Sequence, residues 1–261
     1  MPSWDPETYL RFADERARPF HDLTARVGAN DPELVVDLGC GPATLTATLA
    51  QRWARATVVG VDGSPAMVEA AAAVPGVRVE LGDARTWTPH RPVDVLVTNA
   101  LLQWVPHHLE LLPRWVGWLA PGGWLALQVP GNVAAPSHAL MRQVAASPEF
   151  AGRLEGVLRE DPVHDAVRYA EALADAGCVV DAWETTYVHV LDPAGEHGDD
   201  AVLEWMQGTG LRPVLDALAD DPEARDAYVA RYAALLRKAY PRRAWGTPLP
   251  FRRVFAVGRR V

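Results

Sequence analysis

The sequence is poor in the features that mark several common classes of protein. Its 261 residues include only two cysteines, Cys40 and Cys178, which are too few for a disulfide framework. No run of 18 apolar residues occurs, so we expect no membrane-spanning helix. Residues 1–6 have neither the basic nor the apolar segment of a secretory signal peptide. These absences favour a cytoplasmic protein without a membrane partner.

Basic residues are also scarce. The chain has 25 Lys and Arg against 33 Asp and Glu, which gives a net charge of −8. Because nucleic acids are bound by basic surfaces, the sequence predicts no nucleic-acid partner. An anionic ligand would need a local cluster of Arg and His acting against the overall negative field. Cys and His residues lack the spacing of metal ligands, so we expect no metal. For assembly we expect a monomer or a weak homo-oligomer.

The order of apolar runs and helical patterns predicts an α/β fold with a doubly wound, mostly parallel sheet. Apolar residues make up 49% of the chain, and ten Trp help to fill a sizeable core. The predicted strands are Leu34–Asp37, Val58–Asp62, Val77–Glu80, Val93–Thr98 and Trp124–Val129. The predicted helices are Thr8–Arg26, Thr46–Trp53, Pro65–Ala73 and Leu109–Leu119, and a turn is expected at Pro121-Gly122-Gly123.

The pattern changes after Pro130. Helical patterns cover residues 137–158, 201–206 and 222–240, and alternating segments of strand type cover 178–183, 185–191 and 251–257. We expect these helices to form a cap over the carboxyl edge of the sheet. The prediction is one domain, 1–261, made of an N-terminal helical segment (1–30), a ligand-binding half (31–130), cap helices with late strands (131–250) and a final strand (251–261).

Two apolar runs end in acidic residues and predict a nucleotide site. The first run ends in Asp37-Leu38-Gly39-Cys40-Gly41, and the second ends in Asp62. This order is typical of open parallel sheets, which bind nucleotides at the carboxyl ends of their strands. Glycine lets the backbone approach a ligand closely, and Asp62 is placed to accept hydrogen bonds from a ribose diol. Thr44 replaces the third glycine of a dinucleotide loop, and the Asp37 carboxylate suits a cationic ligand better than a phosphate.

This loop resembles motif I of the class I S-adenosylmethionine (AdoMet) methyltransferases, a Rossmann-like family. Ala43 stands where that family usually has a glycine. The resemblance implies AdoMet as the cofactor, with Asp83 and Ala84 at its adenine and the Asn99 carbonyl at its amino-acid part. The implied cofactor residues are Tyr9, Arg16, Asp37, Gly39, Cys40, Gly41, Asp62, Gly63, Asp83, Ala84, Asn99, Gln103 and Trp104.

Some of these residues also have plainer interpretations. Asp83 fits an ordinary turn, Trp104 fits a core aromatic, and Cys40 fits as a small side chain with no base near it to make it a nucleophile. Tyr9 and Arg16 are candidates for reaching the carboxylate of AdoMet from the N-terminal helix, or for simple helix packing.

Motifs in the second half make the resemblance narrower. These motifs are residues 99–104, 128–132, 137–142, 183–191, 204–213, 239–241 and 250–253, together with Trp4-x-x-x-x-Tyr9-x-x-Phe12 and Arg16-x-Arg18-Pro19. With them the chain resembles, nearly end to end, the trans-aconitate 2-methyltransferase family. Gly131 stands where that family usually has Asp, and Ala43-Thr44 stand where it has Gly-Asn.

The narrower resemblance implies an AdoMet-dependent carboxyl O-methyltransferase that converts trans-aconitate into a monomethyl ester. A carboxylate acceptor is already anionic at neutral pH, so no general base is needed, and a sulfonium methyl is electrophilic without a metal. Catalysis is then a matter of alignment and exclusion of water. No residue is predicted as a catalytic acid or base, and Gln103 and Trp104 are candidates for positioning the methyl group.

A tricarboxylate must be held by cations and hydrogen-bond donors, and Arg binds carboxylates bidentately. Of Arg252 and Arg253, alternation along a strand allows only one to face the site, and we expect the other to be solvated. Arg142 also fits a surface position on a helix, and His189 also fits the core. The candidate substrate residues are Gln128, Asn132, His138, Arg142, His189, Trp205, Thr209, Arg212 and Arg252.

Other functions remain open from the sequence alone. The same type of enzyme could act on another small acid or on an acyl thioester, and the Ala43-Thr44 departure is compatible with an AdoMet-binding protein that does not catalyse. A dehydrogenase is disfavoured because Gly-x-Gly-x-x-Gly is absent. The sequence does not identify which carboxylate is methylated.

Overall fold

A computed structural model of the protein describes residues 13–158 and 163–261. Within these ranges the strands form one sheet of seven, in the order β3-β2-β1-β4-β5-β7-β6. Strands β1 to β5 are parallel, and β7 is antiparallel to β5. The strands are β1 (Leu34–Leu38), β2 (Thr57–Asp62), β3 (Val77–Leu81), β4 (Val93–Asn99), β5 (Leu119–Pro130), β6 (Cys178–Leu191) and β7 (Thr247–Arg260).

Helices of the described ranges connect these strands and follow them. They are α1 (Ala13–Ala25), α2 (Thr46–Arg52), α3 (Pro65–Ala71), α4 (Leu112–Trp118), α5 (Pro136–Ala145), α6 (Ala151–Leu154), α7 (Ala166–Asp175), α8 (Ala201–Gln207), α9 (Arg212–Ala217) and α10 (Pro222–Ala239). Short 3₁₀ turns lie at Leu102–Trp104, His108–Leu111 and Gly198–Asp200. None of these helices combines the length and the apolar character that crossing a bilayer requires.

The chain divides into two compact units. The first, which we call the sheet unit, contains the described residues 13–130, 163–185 and 253–261, and the second, the helical unit, contains 131–158 and 186–252. The assignment of residues 1–261 to one domain, with a cap over the sheet, stays a prediction. The predicted helix Thr8–Arg26 corresponds to α1 from Ala13 onward, and its earlier residues lie outside the described ranges.

The core of the sheet unit follows from the apolar strands. All five residues of β1 are buried, as expected for a central strand of a parallel sheet covered on both faces. One face packs Val36, Leu96 and Leu127 against Trp115 of α4 and Tyr169 of α7. Strand alternation leaves the opposite face to Asp37 and its neighbours, so the candidate site residues at the strand ends do not compete with this core.

Several predicted boundaries are wrong, each for a local reason. The predicted turn at Pro121-Gly122-Gly123 lies inside β5. The register of pairing with β4 shifts there, from Val93↔Leu119 to Val95↔Trp124, so these residues form an irregular part of the strand. The predicted helix 137–158 is interrupted between α5 and α6, where Pro148 disfavours a helical Ser147. The helix predicted from Leu109 begins at Leu112, after a 3₁₀ turn. Residues 178–191 form one strand instead of two, and α7 and α9 were not predicted.

Candidate functional site

The glycine loop after β1 has the close backbone packing that its sequence predicts. Gly39 and Gly41 adopt φ values of +78° and +56°, in the left-handed region that favours glycine. The Gly39 and Cys40 amides both donate to the Val61 carbonyl, at 2.7 and 3.1 Å. A Cβ on Gly39 would lie 3.0 Å from the Leu101 side chain. The loop is therefore fixed between β2 and the segment that follows β4.

Ala43 also adopts a left-handed conformation, with φ of +57°, although it carries a Cβ. An alanine pays about 1–2 kcal/mol for this conformation, which glycine does not. The Ala43 side chain is fully buried and packs with Cys40 and Ala71. The alanine thus adds strain to the loop that a glycine at this position would not carry.

The Asp62 carboxylate connects two loops. One oxygen, Oδ2, accepts from the Gly41 amide at 2.9 Å, and the other, Oδ1, accepts from the Ser64 amide at 2.9 Å. Gly63, between these two contacts, is exposed. A carboxylate offers about four acceptor positions, so Asp62 retains capacity for hydroxyl donors of a ligand.

Asp37 is buried at the end of β1 and accepts from Thr46 Oγ1 at 2.6 Å. Burial raises the pKa of its carboxyl to about 7, the Thr46 hydrogen bond opposes this shift, and the negative charge of Asp62 adds to it. Burial, followed by the charges of Asp37 and Asp62, also raises the pKa of the Cys40 thiol far above its ordinary value. Cys40 therefore stays a neutral thiol and is unsuited to be a nucleophile.

Asp83 is held by Arg85, a residue that the sequence analysis did not single out. Its Oδ1 accepts from the Arg85 amide at 2.8 Å, and Arg85 Nε and Nη2 form a charged pair with both oxygens. Hydrogen bonds from the Arg85 side chain hold the pKa of Asp83 below its usual range. Asp83 is thus a fixed, ionised acceptor beside the buried Ala84.

The segment after β4 forms a tight turn with both polar candidates in it. Ala100 adopts φ of +55°, and the side-chain Nε2 of Gln103 donates to the Ala100 carbonyl at 2.6 Å. Trp104 is half-buried, and its backbone amide donates to Leu101 at 2.9 Å. Gln103 and Trp104 therefore have positions that depend on the backbone of this turn.

Asn99 and Gln128 stand opposite each other in the pairing of β4 with β5. Gln128 is fully buried, and neither its Oε1 nor its Nε2 has a hydrogen-bond partner within the described residues. The same holds for Asn99 Oδ1. Buried polar atoms are rarely left unpaired, so a ligand or an ordered water is the expected partner of these atoms at the sheet edge.

The register places these side chains on one face of the sheet. Asp37 pairs with Gly60 and Val97, and residues two apart on a strand share a face. Asp62, Asn99 and Gln128 therefore lie on the face of Asp37, at the carboxyl edge. This is the edge at which open α/β sheets bind ligands.

In the helical unit, two arginines converge on the short segment 131–133. Arg142 Nη2 donates to the Val133 carbonyl at 2.7 Å, and Arg252 Nη1 donates to the Gly131 carbonyl at 3.2 Å. Between them, Asn132 is buried and its Oδ1 accepts from the Arg252 amide at 2.8 Å. Its Nδ2 has no acceptor among the described residues. The segment thus gathers three donor groups with a net positive charge.

His138 lies close to the same group. Burial, followed by the charge of Arg142, lowers the pKa of its imidazole to about 4. A Cβ added to Gly210 would lie 3.3 Å from His138 Nε2, so the turn between α8 and α9 packs directly on this ring. His138 is therefore a neutral ring in the ligand-free protein at neutral pH.

The turn at Gly210 also carries the remaining candidates. Thr209 Oγ1 donates to the Trp205 carbonyl at 2.9 Å, and the buried Trp205 stacks on His189 with ring centroids 5.1 Å apart. Arg212 begins α9, is 43% exposed in its side chain and lies 3.8 Å from Asp216. The substrate candidates of the helical unit are thus neighbours of one another, and His189 is buried against Trp205 and Phe251.

The sequence analysis missed the hydroxyl groups that hold α5. Tyr240 Oη accepts from the Ser137 amide at 3.0 Å, and Tyr232 Oη donates to the Ser137 carbonyl at 2.8 Å. These contacts fix the first turn of α5, which carries His138. Their residues are about one hundred positions apart in the chain, so no local pattern identifies them.

One arginine of the pair Arg252 and Arg253 differs from expectation, and the N-terminal candidates are described only in part. Arg253, expected to be solvated if Arg252 faces the site, is 5% exposed and belongs to the sheet unit, so that expectation is wrong. Tyr9 lies outside the described residues, and of Arg16 only its place in α1 is described. Among the described residues, no group of His, Cys, Asp or Glu is arranged to hold a metal ion.

Comparisons with known proteins agree with this fold. Residues 35–123 match a family model described as a methyltransferase domain. A solved geranyl diphosphate C-methyltransferase from Streptomyces coelicolor, in complex with S-adenosyl-L-homocysteine, has the same fold at 17% identity and a TM-score of 0.53, covering 98% of this chain and 83% of that one. The strand order, the glycine loop and the acidic strand ends define a class I AdoMet-dependent methyltransferase.

Two relatives of high identity narrow the class. A trans-aconitate 2-methyltransferase of Streptomyces coelicolor is 56% identical over 99% of this chain and 87% of its own length. Another of that name from Streptomyces avermitilis is 53% identical, covering 98% of this chain and 97% of the relative. The chain therefore belongs to the trans-aconitate 2-methyltransferase family, whose methyl donor is AdoMet.

Proposed function

We propose that this chain transfers the methyl group of AdoMet to a carboxylate of trans-aconitate, giving a monomethyl ester and S-adenosyl-L-homocysteine. The observation that carries the acceptor class is the convergence of Arg142 and Arg252 on segment 131–133, around the unpaired Asn132 Nδ2. Arginine suits carboxylates because its planar donors bind two oxygens at once. A buried N–H without an acceptor is satisfied when a ligand oxygen reaches it.

The names of the two relatives support trans-aconitate in particular. Three carboxylates fit a site with several cationic or donor side chains. His138, Thr209 and Arg212 extend the group around Gly210, and His189 with Trp205 supplies its apolar side. These residues of the helical unit are proposed as contacts of the acceptor. Gln128 is proposed separately, as a ligand-contacting residue of the sheet unit.

The sheet unit fits the donor. Asp37, Asp62 and Asp83 form an acidic set at the carboxyl edge, which suits a cationic sulfonium compound and would repel a phosphate. We propose that Asp62 accepts from the ribose hydroxyls, that Asp83 and Ala84 meet the adenine, and that the glycine loop and Asn99 meet the amino-acid part. When bound, AdoMet supplies an electrophilic methyl group.

The protein then has three tasks. Its arginines hold the acceptor carboxylate, which is ionised at neutral pH and needs no general base. Gln103 and Trp104 would border the methyl group that AdoMet supplies and position it for in-line attack. The buried side chains exclude water, which otherwise shields both charges. Asp37 and the Cys40 thiol are not required as a base or a nucleophile.

The test is turnover of methyl-labelled AdoMet with trans-aconitate, cis-aconitate, citrate, isocitrate and itaconate, scored as base-labile label. Preference for trans-aconitate is expected, and NMR of the ester identifies the methylated carboxylate. Preference for another acid or for an acyl thioester would replace the proposed acceptor. AdoMet binding without any turnover would indicate a binding protein instead of an enzyme.

Variants test whether the proposed acceptor site is the one used. Arg252→Gln removes one guanidinium of the convergent pair, and we expect KM for the acceptor to rise about 100-fold, as for loss of a charged hydrogen bond. Arg231→Gln on α10 is the matched control, because that arginine is exposed and belongs to the same unit. Equal KM values for the two variants would place the acceptor elsewhere.

Location and assembly complete the proposal. A cytoplasmic enzyme that acts as a monomer or a weak homo-oligomer, without nucleic acid as a partner, agrees with the net charge of −8 and the small acidic substrate. Light scattering across a concentration series measures the assembly, and cell fractionation measures the location. A stable oligomer or a membrane-bound pool would contradict this part.

A further inference from the structure

A buried histidine stands directly behind the turn that carries Gln103 and Trp104. His108 is 4% exposed and belongs to the 3₁₀ turn His108–Leu111 of the sheet unit. Its Nδ1 lies 3.1 Å from the Val105 carbonyl, and its Nε2 lies 2.7 Å from Tyr169 Oη. Tyr169, on α7, is fully buried and stacks on the imidazole with ring centroids 5.7 Å apart.

The contact with Val105 assigns the hydrogen of Nδ1. A carbonyl oxygen only accepts, so His108 Nδ1 carries the hydrogen and donates to Val105. The second ring nitrogen, Nε2, forms a hydrogen bond with the Tyr169 hydroxyl. His164 adds an edge contact, with its ring centroid 5.6 Å from that of His108. A polar chain therefore leads from α7 through His108 to the backbone of residue 105.

Val105 ends the turn that carries Gln103 and Trp104. The Val105 amide donates to Leu102 at 3.0 Å, and the Trp104 amide donates to Leu101 at 2.9 Å. The Leu101 side chain in turn packs on the glycine loop, 3.0 Å from the position that a Cβ on Gly39 would take. The turn is thus fixed at one end by the glycine loop and at the other end by His108.

We propose that Tyr169 and His108 are positioning residues for methyl transfer, acting through the Val105 carbonyl on Gln103 and Trp104. This inference rests on the proposed function, in which those two residues border the methyl group. In-line transfer is sensitive to displacements of about 1 Å, so a turn released at Val105 loses alignment while its ligands still bind. Neither residue touches a reacting atom in this proposal.

The primary test is Tyr169→Phe, which keeps the stacked ring and removes only the hydroxyl. We expect kcat to fall about ten-fold, because alignment is lost, with Kd for AdoMet and KM for the acceptor within about two-fold of wild type. Thr24→Val is the matched control, since it also removes one buried hydroxyl, which donates to the Phe20 carbonyl at 2.9 Å in the same unit. Thr24→Val should keep the wild-type kcat even if it lowers thermal stability as much as Tyr169→Phe does.

Two histidine variants separate the contacts. In His108→Asn the side-chain amide can replace Nδ1 and donate to Val105, whereas in His108→Gln it can replace Nε2 and meet Tyr169. The proposal expects His108→Asn to retain more kcat than His108→Gln. A Tyr169→Phe enzyme with wild-type kcat, or a Thr24→Val enzyme that slows equally, would overturn it. Failure of the proposed function is distinguishable, because the wild-type enzyme would then form no ester.

Discussion

Gln128 offers a test in which loss of ligand binding and gain of stability should go together. Both atoms of its carboxamide are buried and have no hydrogen-bond partner in residues 13–158 or 163–261. Leaving an amide buried and unpaired costs about 1–3 kcal/mol in proteins. Methionine has a similar unbranched shape without those polar atoms. We therefore expect Gln128→Met to raise the free energy of unfolding of the ligand-free protein by about 1–3 kcal/mol.

Thermal and denaturant unfolding measure this gain, with about 2–4 °C of Tm for each kcal/mol in a protein of this size. The same variant should bind its ligands more weakly, so that saturating AdoMet and acceptor stabilise it less than they stabilise the wild type. Gln51→Met is the control, because Gln51 lies exposed on α2 and its replacement should change little. A Gln128→Met protein that is less stable without ligands would refute the reasoning, since it would mean that the amide is satisfied inside the protein.

Three further predictions concern ionisation and backbone strain. Because the folded Asp37 has a pKa of about 7, the folded protein binds more protons than the unfolded chain above about pH 4, and stability falls as pH rises through this window. Asp37→Asn should therefore remove a loss of about 3 kcal/mol in the free energy of unfolding between about pH 5 and pH 8. Denaturant unfolding measures this loss, with Asp175→Asn, at an exposed position on α7, as the control. Equal pH slopes for the two variants would contradict the raised pKa of Asp37. Because the pKa of His138 is lowered to about 4, the folded protein binds fewer protons than the unfolded chain, and stability is lost as pH falls from about 6.5 to about 4. His138→Gln should reduce this loss of stability. An unchanged loss would contradict a buried, neutral His138. Ala43→Gly relieves the left-handed strain, but it removes a buried methyl group and raises the conformational entropy of the unfolded chain. We therefore expect the free energy of unfolding to change by no more than about 1 kcal/mol. A loss of more than about 2 kcal/mol would show that the Ala43 methyl contributes more than its strain costs.

The sheet was predictable from the sequence because its signals are local. Strands β1, β2 and β4 are short apolar runs ended by acids or polar residues, and each strand is found within one residue of its predicted bounds. The turn signal at residues 121–123 misled because glycine and proline also accommodate an irregular pairing inside a strand. Helix α7 was missed although it has local signals, since Asp165 caps it by accepting from the Arg168 amide and its buried residues Tyr169 and Leu173 are four apart. Helix α9 has only six residues, too few for a periodic pattern to stand out.

The site was predictable only in part. The acidic strand ends and the glycines are contiguous motifs, so Asp37, Asp62 and Gly39 could be named as candidates from the sequence, and their roles toward a ligand stay predictions. Arg85 is visible in the sequence, but its pairing with Asp83 depends on side-chain rotamers that no pattern encodes. The contact of Tyr232 with Ser137 joins residues 95 positions apart, and only the fold brings them together.

In the role proposed for Asp62, as the acceptor for the ribose of AdoMet, its double contact has a consequence for the rate of cofactor capture. Because backbone amides of two separate loops already hold its oxygens, the carboxylate has no rotamer freedom left to lose when a ribose arrives. A diol then meets an acceptor that is aimed before the encounter, and little rearrangement separates collision from binding. An AdoMet analogue that lacks one ribose hydroxyl should therefore have a larger dissociation rate constant than AdoMet, whereas the association rate constants of the two should be similar.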